Sequence, residues 1–341
     1  MPRRGSEPPE AAPAAPAGGE FGRIARLFRP LAAGFPGALG LKDDAALVDV
    51  PAGFQLVVTT DAMVEGVHFL GTDDPAQVAA KLLRVNLSDL AAKGADPYAY
   101  SLVTGLPRGL PEEWLEGFAA GLAADQAAYG IHLIGGDSVS TPGPAVLTVS
   151  ALGLVPEGRM VRRGGARDGD LVMVTSTIGD AALGLRLALG RPLDATAEEG
   201  AFLLRRLRRP EPRTALAAAL REHATAAADV SDGLLADLGH IAAASGLRAE
   251  VRADAVPLSP AGRRLSEGDA GLLPTMLTGG DDYEVVFTLP PARRDALLAA
   301  ATAAGVPVAE IGVMRAGGGV VLLDGQGRDV TPAALGWQHF P

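Results

Sequence analysis

Apolar runs in this chain repeatedly end on aspartate beside Gly, Ser or Thr. The pattern is clearest at "LVVTTDAMVEGVHF" (56–69), where Leu56, Val57 and Val58 give way to Thr59, Thr60 and Asp61, then Glu65 and His68. It recurs at "LKDDAAL" (Asp43, Asp44), "VNLSDLAA" (Asp89), "LIGGDS" (Asp137), "ADVSDGLL" (Asp229, Asp232) and "TGGDDYE" (Asp281, Asp282, Glu284). Strand ends are ordinarily polar, so one such stretch means little. A set of them implies a fold that gathers element ends around one acidic region. Carboxylate and carbonyl oxygens without thiolate are what hard divalent cations take. Without a cation, clustered carboxylates repel one another and some pKa values rise.

The composition limits what such a region can serve. Formal net charge is −10, from 30 Lys and Arg against 40 Asp and Glu. That argues against nucleic acid as a partner, because phosphate backbones are met with Lys and Arg. A small phosphate ligand remains admissible if metal supplies positive charge. There is no cysteine, which excludes disulfides, thiolate catalysis and cysteine-ligated zinc. Walker A, G-x-S-x-G and H-E-x-x-H sequences are absent, and the five histidines are scattered.

The length of 341 residues suggests two domains, and 48% apolar residues can fill two cores. Aromatics are 4%, so those cores are built from Ala, Val, Leu and Ile. Strands are predicted at 46–50, 55–60, 98–107, 131–136, 145–155, 171–176, 283–289 and 319–324. Helices are predicted at 74–93, 111–129, 180–189, 198–207, 212–223, 233–245 and 291–304. Asp74 would cap the first, with Pro75 inside it and Gly94 after it. The order is mixed, an α/β (α+β) pattern. The Gly- and Arg-rich stretch "PEGRMVRRGGARDGD" (156–170) is the expected boundary, giving domains over 21–157 and 158–341. Residues 1–20 read as a disordered Pro/Ala/Gly tail without the apolar core of a secretory signal. No run reaches the ~18 apolar residues of a membrane span, so no membrane partner and a cytoplasmic location are expected.

Single stretches have plain structural explanations: Asp232 could cap helix 233–245, Gly-Gly-Asp could be a turn, and Asp43–Asp44 a solvated loop. Asp89 is harder to explain so, since it sits mid-helix where Asp is a poor former. Asn86, Asp89 and Lys93 make one polar stripe bordering the apolar face of Val85, and a solvated surface face stays open for it.

Taken in order, "FGRIARLF", "KDDAALV", "VVTTDAMVEGVHF", "KLLRVNLSDLAAKGADP", "LIGGDS", "GRMVRRGGARDGD", "VTSTIGDAALGL", "DVSDGLLADLGHIA", "LTGGDDYEVVFT" and "GWQHF" resemble the thiamine-monophosphate kinase family. That family lies in the PurM-like superfamily with aminoimidazole ribonucleotide synthetase, selenophosphate synthetase and HypE. The resemblance spans about Phe21 to Phe340. It implies two α/β domains, pairing of N-terminal domains in a homodimer, and transfer of the γ-phosphate of ATP to thiamine monophosphate. It implies several Mg2+ ions on Asp44, Thr60, Asp61, Asp89, Asp137, Asp229 and Asp232, with Thr59 contributing through backbone or hydroxyl. It places Gly136, Asp137, Arg163 and Ser231 on ATP, and His68, Asp281 and Trp337 on the thiamine phosphate. The chain departs from the family at Lys42, where Gly is usual, and at Asp281, where Glu is common. A sibling activity on another acceptor, or a non-catalytic thiamine phosphate-binding protein, stays open at this point.

Overall fold

The computed structural model describes residues 20–337. The tail expected over 1–20 lies outside these residues except for Glu20. Two sheets organise the chain. The N-terminal half runs α1 (Glu20–Arg23), β1 (Phe54–Val64), α2 (Pro75–Ala92), β2 (Asp96–Pro107), α3 (Glu112–Tyr129), β3 (His132–Thr141) and β4 (Val146–Pro156). Its sheet has the order β1-β4-β2-β3, antiparallel except for the parallel β2–β3 pair, which α3 bridges as a crossover.

The second half runs β5 (Leu171–Thr175), α4 (Asp180–Ala188), α5 (Ala197–Arg208), α6 (Ala217–His223), β6 (Ala226–Asp229), α7 (Leu234–Ser245), β7 (Leu247–Arg252), α8 (Pro260–Gly268), α9 (Leu272–Thr278), β8 (Val285–Leu289), α10 (Arg294–Ala303), β9 (Val308–Ala316) and β10 (Gly319–Leu323). Its six strands lie in the order β10-β7-β9-β5-β8-β6. The architecture is the mixed α/β arrangement expected.

Helix α2 forms as the sequence predicts. The Asp74 side chain accepts from the N–H groups of Ala76 and Gln77, at 3.0 and 3.1 Å, and Pro75 follows. Its burial is not one-sided. Every residue from Val78 to Ala92 is buried except Asp89. One face packs on the first sheet and α3, where the backbone of Ala76 comes so close that a Cβ at Gly121 would lie 2.5 Å from its carbonyl oxygen. Another face meets the second half. Arg84 is held bidentately by Asp125 of α3 at 2.7 and 2.8 Å and also donates to the Pro210 carbonyl at 3.1 Å.

Three expectations of secondary structure change. Residues 46–50 are not a strand: Leu47 is 67% exposed and its N–H donates to Gly37 O at 2.8 Å. The helix expected at 212–223 is a short 3-10 turn at Thr214–Leu216 followed by α6. Strand β8 begins at Val285 rather than 283, because Asp281 and Tyr283 take left-handed φ values of 72° and 50°.

The acidic run after Gly280 divides its labour. Asp282 accepts from the N–H groups of Gly179 and Ala181 at the start of α4, at 2.6 and 3.2 Å. Glu284 is fully buried and takes hydrogen bonds from Arg206, Arg213 and Thr175 at 2.6–2.7 Å. Both are structural acids. Removing one partner of such a buried group leaves charge unpaired, at about 3–5 kcal/mol. Glu284→Ala should therefore lose about that much, read as a lowered midpoint in chemical denaturation.

Candidate active site

The acidic element ends meet in two groups. The larger lies where α2 faces β1 on one side and β6 on the other. From the middle of β1, which runs on to Val64 instead of ending at residue 60 as expected, Thr59 Oγ1 donates to Asp89 Oδ2. The Asp61 backbone N–H donates to Asn86 Oδ1 at 3.2 Å. Asn86 is fully buried and Lys93 Nζ reaches across to Ala227 O at 2.8 Å. The polar stripe on α2 is thus an internal face, not a solvated one.

Its electrostatics are unfavourable as they stand. Burial, with the charge of Asp89, pushes the Asp61 carboxyl up to about 7. Asp229, buried at the end of β6, is raised well above the carboxylate range by burial and then by Asp89, Asp237 and Asp61. Burial also lowers the Lys93 ammonium, against the pull of Asp229. Carboxylates that repel one another in poorly solvated space call for a cation.

Two loops from the second half complete this group. In "DVSDG" (229–233) the expected cap is reversed. Asp232 does not cap α7; Asp237 in its first turn reaches back to the N–H groups of Ser231 and Asp232, both at 3.0 Å. That fixes Ser231 and Asp232 at the helix start. Arg163, exposed, lies near enough to draw the Asp237 pKa down while burial pushes it up to about 7. The loop "TGGDDYE" zips onto the first: Asp281 N–H donates to Ser231 O at 2.9 Å and Tyr283 N–H to Val230 O at 2.8 Å. A Cβ on Gly280 would sit 2.2 Å from Ser231 O, so only glycine allows this approach.

The residues expected on the acceptor side join the same group. The loop after β1 turns back so that the Val64 N–H donates to His68 Nδ1 at 3.0 Å. A neutral ring then carries its proton on Nε2, which makes that nitrogen the donor. Asp281 is ion-paired with Lys81 of α2 at 3.1 Å. The Trp337 N–H donates to Asp232 O at 2.9 Å, which holds the end of the described chain at the α7 start. The residue is 60% exposed.

The second group is Asp44, Gly136 and Asp137, with Asp43. They rim a cavity of about 470 Å³ whose apolar wall includes Phe28, Leu41, Leu133 and Ile134. Asp43 Oδ1 accepts the Asp44 N–H at 2.8 Å, and Lys42 beside it is exposed. Gly136 is required where it stands: its φ is +155° and a Cβ would lie 1.8 Å from Leu102 O. Thr60 bonds to Ser150 Oγ at 2.8 Å, and by alternation it points away from Thr59 and Asp61, to the face of the sheet shared with exposed Val58.

Sequence reasoning missed Lys81, Tyr283 and Asp237. Lys81 had a signal, since it lies eight residues before Asp89 on the same helix face, inside an otherwise apolar turn. Asp237 had none beyond its place in the first turn of α7.

The two halves match the family described as AIR synthase related protein, its N-terminal domain over residues 42–155 and its C-terminal domain over 167–325. A two-domain member of that family is what sheets, loops and acidic site define. Within it, the chain belongs to the thiamine-monophosphate kinases. It is 51% identical to thiamine-monophosphate kinase of Caulobacter vibrioides, over 98% of this chain and 94% of the relative. It is 42% identical to that of Escherichia coli K12, over 94% and 98% of the two chains. The crystal structure of thiamine-monophosphate kinase from Stenotrophomonas maltophilia superposes with a TM-score of 0.76 at 44% identity, over 83% of this chain and 89% of that one. A ThiL structure complexed with AMPPCP and TMP superposes at 0.75 with 33% identity, over 87% and 91%. HypE in complex with ATP shares the fold at 22% identity, TM-score 0.74, over 94% and 97%.

The raised Asp61 pKa has a consequence for stability without metal. An acid whose folded pKa lies above its unfolded value loses stability as pH rises between the two, here from about 4 to about 7. In EDTA, wild-type stability should fall across that window. Asp61→Asn should flatten the fall and gain about 1–2 kcal/mol at pH 8. Denaturant titrations at pH 5 and pH 8 check both.

Proposed function

We infer that this chain catalyses ATP-dependent phosphorylation of thiamine monophosphate, giving thiamine diphosphate and ADP. The observation that carries this is 51% identity over nearly the whole chain to a thiamine-monophosphate kinase. The acidic site formed by the residues quoted for that family agrees with it.

Magnesium fits the donor set. Among the described residues no three His, Asp or Glu side chains converge into a ready-made cation cage. Magnesium does not need one, because it keeps several waters and takes one or two carboxylates plus substrate phosphates. The crowded, desolvated Asp61, Asp89 and Asp229 support such a site, with Thr59 and Asp232 beside them; Asp44, Thr60 and Asp137 would hold metal at the cavity side. When bound, magnesium would shield the phosphates and stabilise the charge of a loose phosphoryl-transfer transition state.

The protein's own share is positioning. The apolar wall of the cavity can seat the base of ATP, and Gly136 lets the chain pack close beside it. Arg163 and Ser231 would meet its phosphates. His68 would donate from Nε2 to the acceptor phosphate, Asp281 would orient the acceptor, and Trp337 would stack on the cationic ring. No strong general base is needed, since a phosphate monoester with a second pKa of ~6 is already ionised at pH 7.

The chain acts as a homodimer through its N-terminal domain (21–157), with 158–341 as the second domain, in the cytoplasm. The outer face of the first sheet supports pairing. Val58, Val103 and Val139 are 62%, 40% and 52% exposed. Val58→Glu with Val139→Glu should turn a dimer into monomers in sedimentation velocity, and a wild-type monomer would remove the proposal. Among the described residues no helix is long and apolar enough to cross a membrane.

Phosphorus NMR with ATP, magnesium and thiamine monophosphate tests the reaction. Thiamine diphosphate and ADP should appear, and only without EDTA. ATP consumed without thiamine diphosphate would point to another acceptor. No turnover, with metal-dependent shifts of the thiamine monophosphate signal, would point to a binding protein. Asp89→Asn should lower kcat by at least about 100-fold, on the scale of losing a transition-state charge contact.

A further inference from the structure

Lys81 projects from α2 into the space between the two halves, with 5% of its side chain exposed. An ammonium stays buried only where protein groups replace its water. Two do so here. The carbonyl oxygen of His68 accepts from Nζ at 3.0 Å, and Asp281 Oδ1 lies 3.1 Å away. One partner comes from the loop after β1 in the first sheet. The other comes from the loop before β8 in the second. Lys81 therefore joins the two halves at the residues read above as touching the acceptor.

Each partner is held locally as well. His68 is turned inward by Val64, whose N–H meets Nδ1 and whose carbonyl takes the His68 N–H at 2.9 Å. Asp281 sits at φ 72°, with its N–H on Ser231 O. A non-glycine residue in that region is kept there only by its surroundings. These devices fix each loop within its own half. The Lys81 ammonium touches both loops.

We propose that Lys81 is a positioning residue for the acceptor: it ties the His68 loop to the Asp281 carboxylate, so that thiamine monophosphate meets both in one arrangement. This rests on the reading of His68 and Asp281 as acceptor contacts. A second effect follows from charge. Asp281 stands near an anionic substrate, and the Lys81 ammonium offsets its repulsion of the acceptor phosphate. Lysine suits the place, being a compact charge on a flexible stem that can serve two single oxygen acceptors, whereas the planar arginine fork suits paired ones. Of the proposed ATP-side residues, Gly136, Asp137 and Arg163 sit on other elements, and Ser231 meets the Asp281 loop through its backbone carbonyl, which a change at Lys81 leaves in place, so the effect falls on the acceptor.

Steady-state kinetics and calorimetry on the full chain test this. Lys81→Met should raise KM and Kd for thiamine monophosphate at least tenfold and leave KM for ATP within twofold. In an Asp281→Asn background the same change should cost less than threefold, because the partner is already gone. Lys81→Arg should recover part of the affinity. Equal rises for both substrates, a loss in kcat alone, or full additivity with Asp281→Asn would overturn the proposal. If Lys81→Met does not fold, Lys81→Gln keeps a donor for the His68 carbonyl without charge, and the same comparisons apply to it. A further readout needs no turnover. The chain has five histidines, and His68→Gln assigns the His68 ring in a nitrogen-15 spectrum of the substrate-free protein. That signal should move in Lys81→Met; an unmoved signal overturns the link. Failure of the kinase reading looks different. Wild-type protein that makes no thiamine diphosphate ends that reading, while the thiamine monophosphate affinities and the histidine spectra still decide on Lys81.

Discussion

Helix α2 has no side open to water, so each polar group it carries must find a partner in protein or ligand. Arg84 finds Asp125 and the Pro210 carbonyl, Lys93 finds Ala227 O, and Ser88 finds Tyr283 O at 3.2 Å. Lys81 finds the His68 loop and Asp281. These contacts reach the first sheet's loops and the second half alike, and they place β1, β6 and the 278–284 loop around one helix. Asp89 finds Thr59, but it also faces Asp61 and Asp229. The helix thus joins the halves and creates the charge imbalance that a cation would relieve.

Precision in that region comes from backbone rather than side chains. Gly280 and Ser231 approach closer than any Cβ permits, and Asp281 and Tyr283 take conformations that cost free energy. The buried network behind them, from Glu284 to Arg206 and Arg213, anchors the start of β8. A rigid anchor one and three residues from a strained pair is a sound arrangement for holding a carboxylate at a set place. It also explains why three acids in "DDYE" have three tasks: a helix start for Asp282, the arginine pair for Glu284, the site for Asp281.

How legible this was depended on range. Helix α2 could be read because its cap, Pro75 and Gly94 are local signals. The mid-helix Asp89 and its stripe left an inward and a surface face equally open, and the packing of the second half on α2 decides for the inward one. Strand 46–50 failed because a short apolar run says nothing about available pairing partners. Strand β6, "AAAD", was missed because alanine has no strand preference; it is a strand because β8 pairs with it antiparallel. The split of the expected metal ligands into two groups was not visible either. It follows from the pleat of β1, which sends Thr59 and Asp61 one way and Thr60 the other.

That pleat bears on how an acidic protein can handle acidic substrates. Were all the carboxylates gathered on one face, their repulsion would add to that of two phosphate-bearing ligands. Dividing them leaves Asp61, Asp89 and Asp229 between the halves, and Asp44 and Asp137 at the rim of a cavity with an apolar wall. Asp137 lies beside Val103 in the parallel register, on the exposed face that also carries Thr60. Pairing of two copies through that face would lower the solvent exposure of the rim carboxylates and strengthen their hold on cations, because charge interactions grow as water is excluded. In this arrangement, assembly and metal affinity would depend on the same strand.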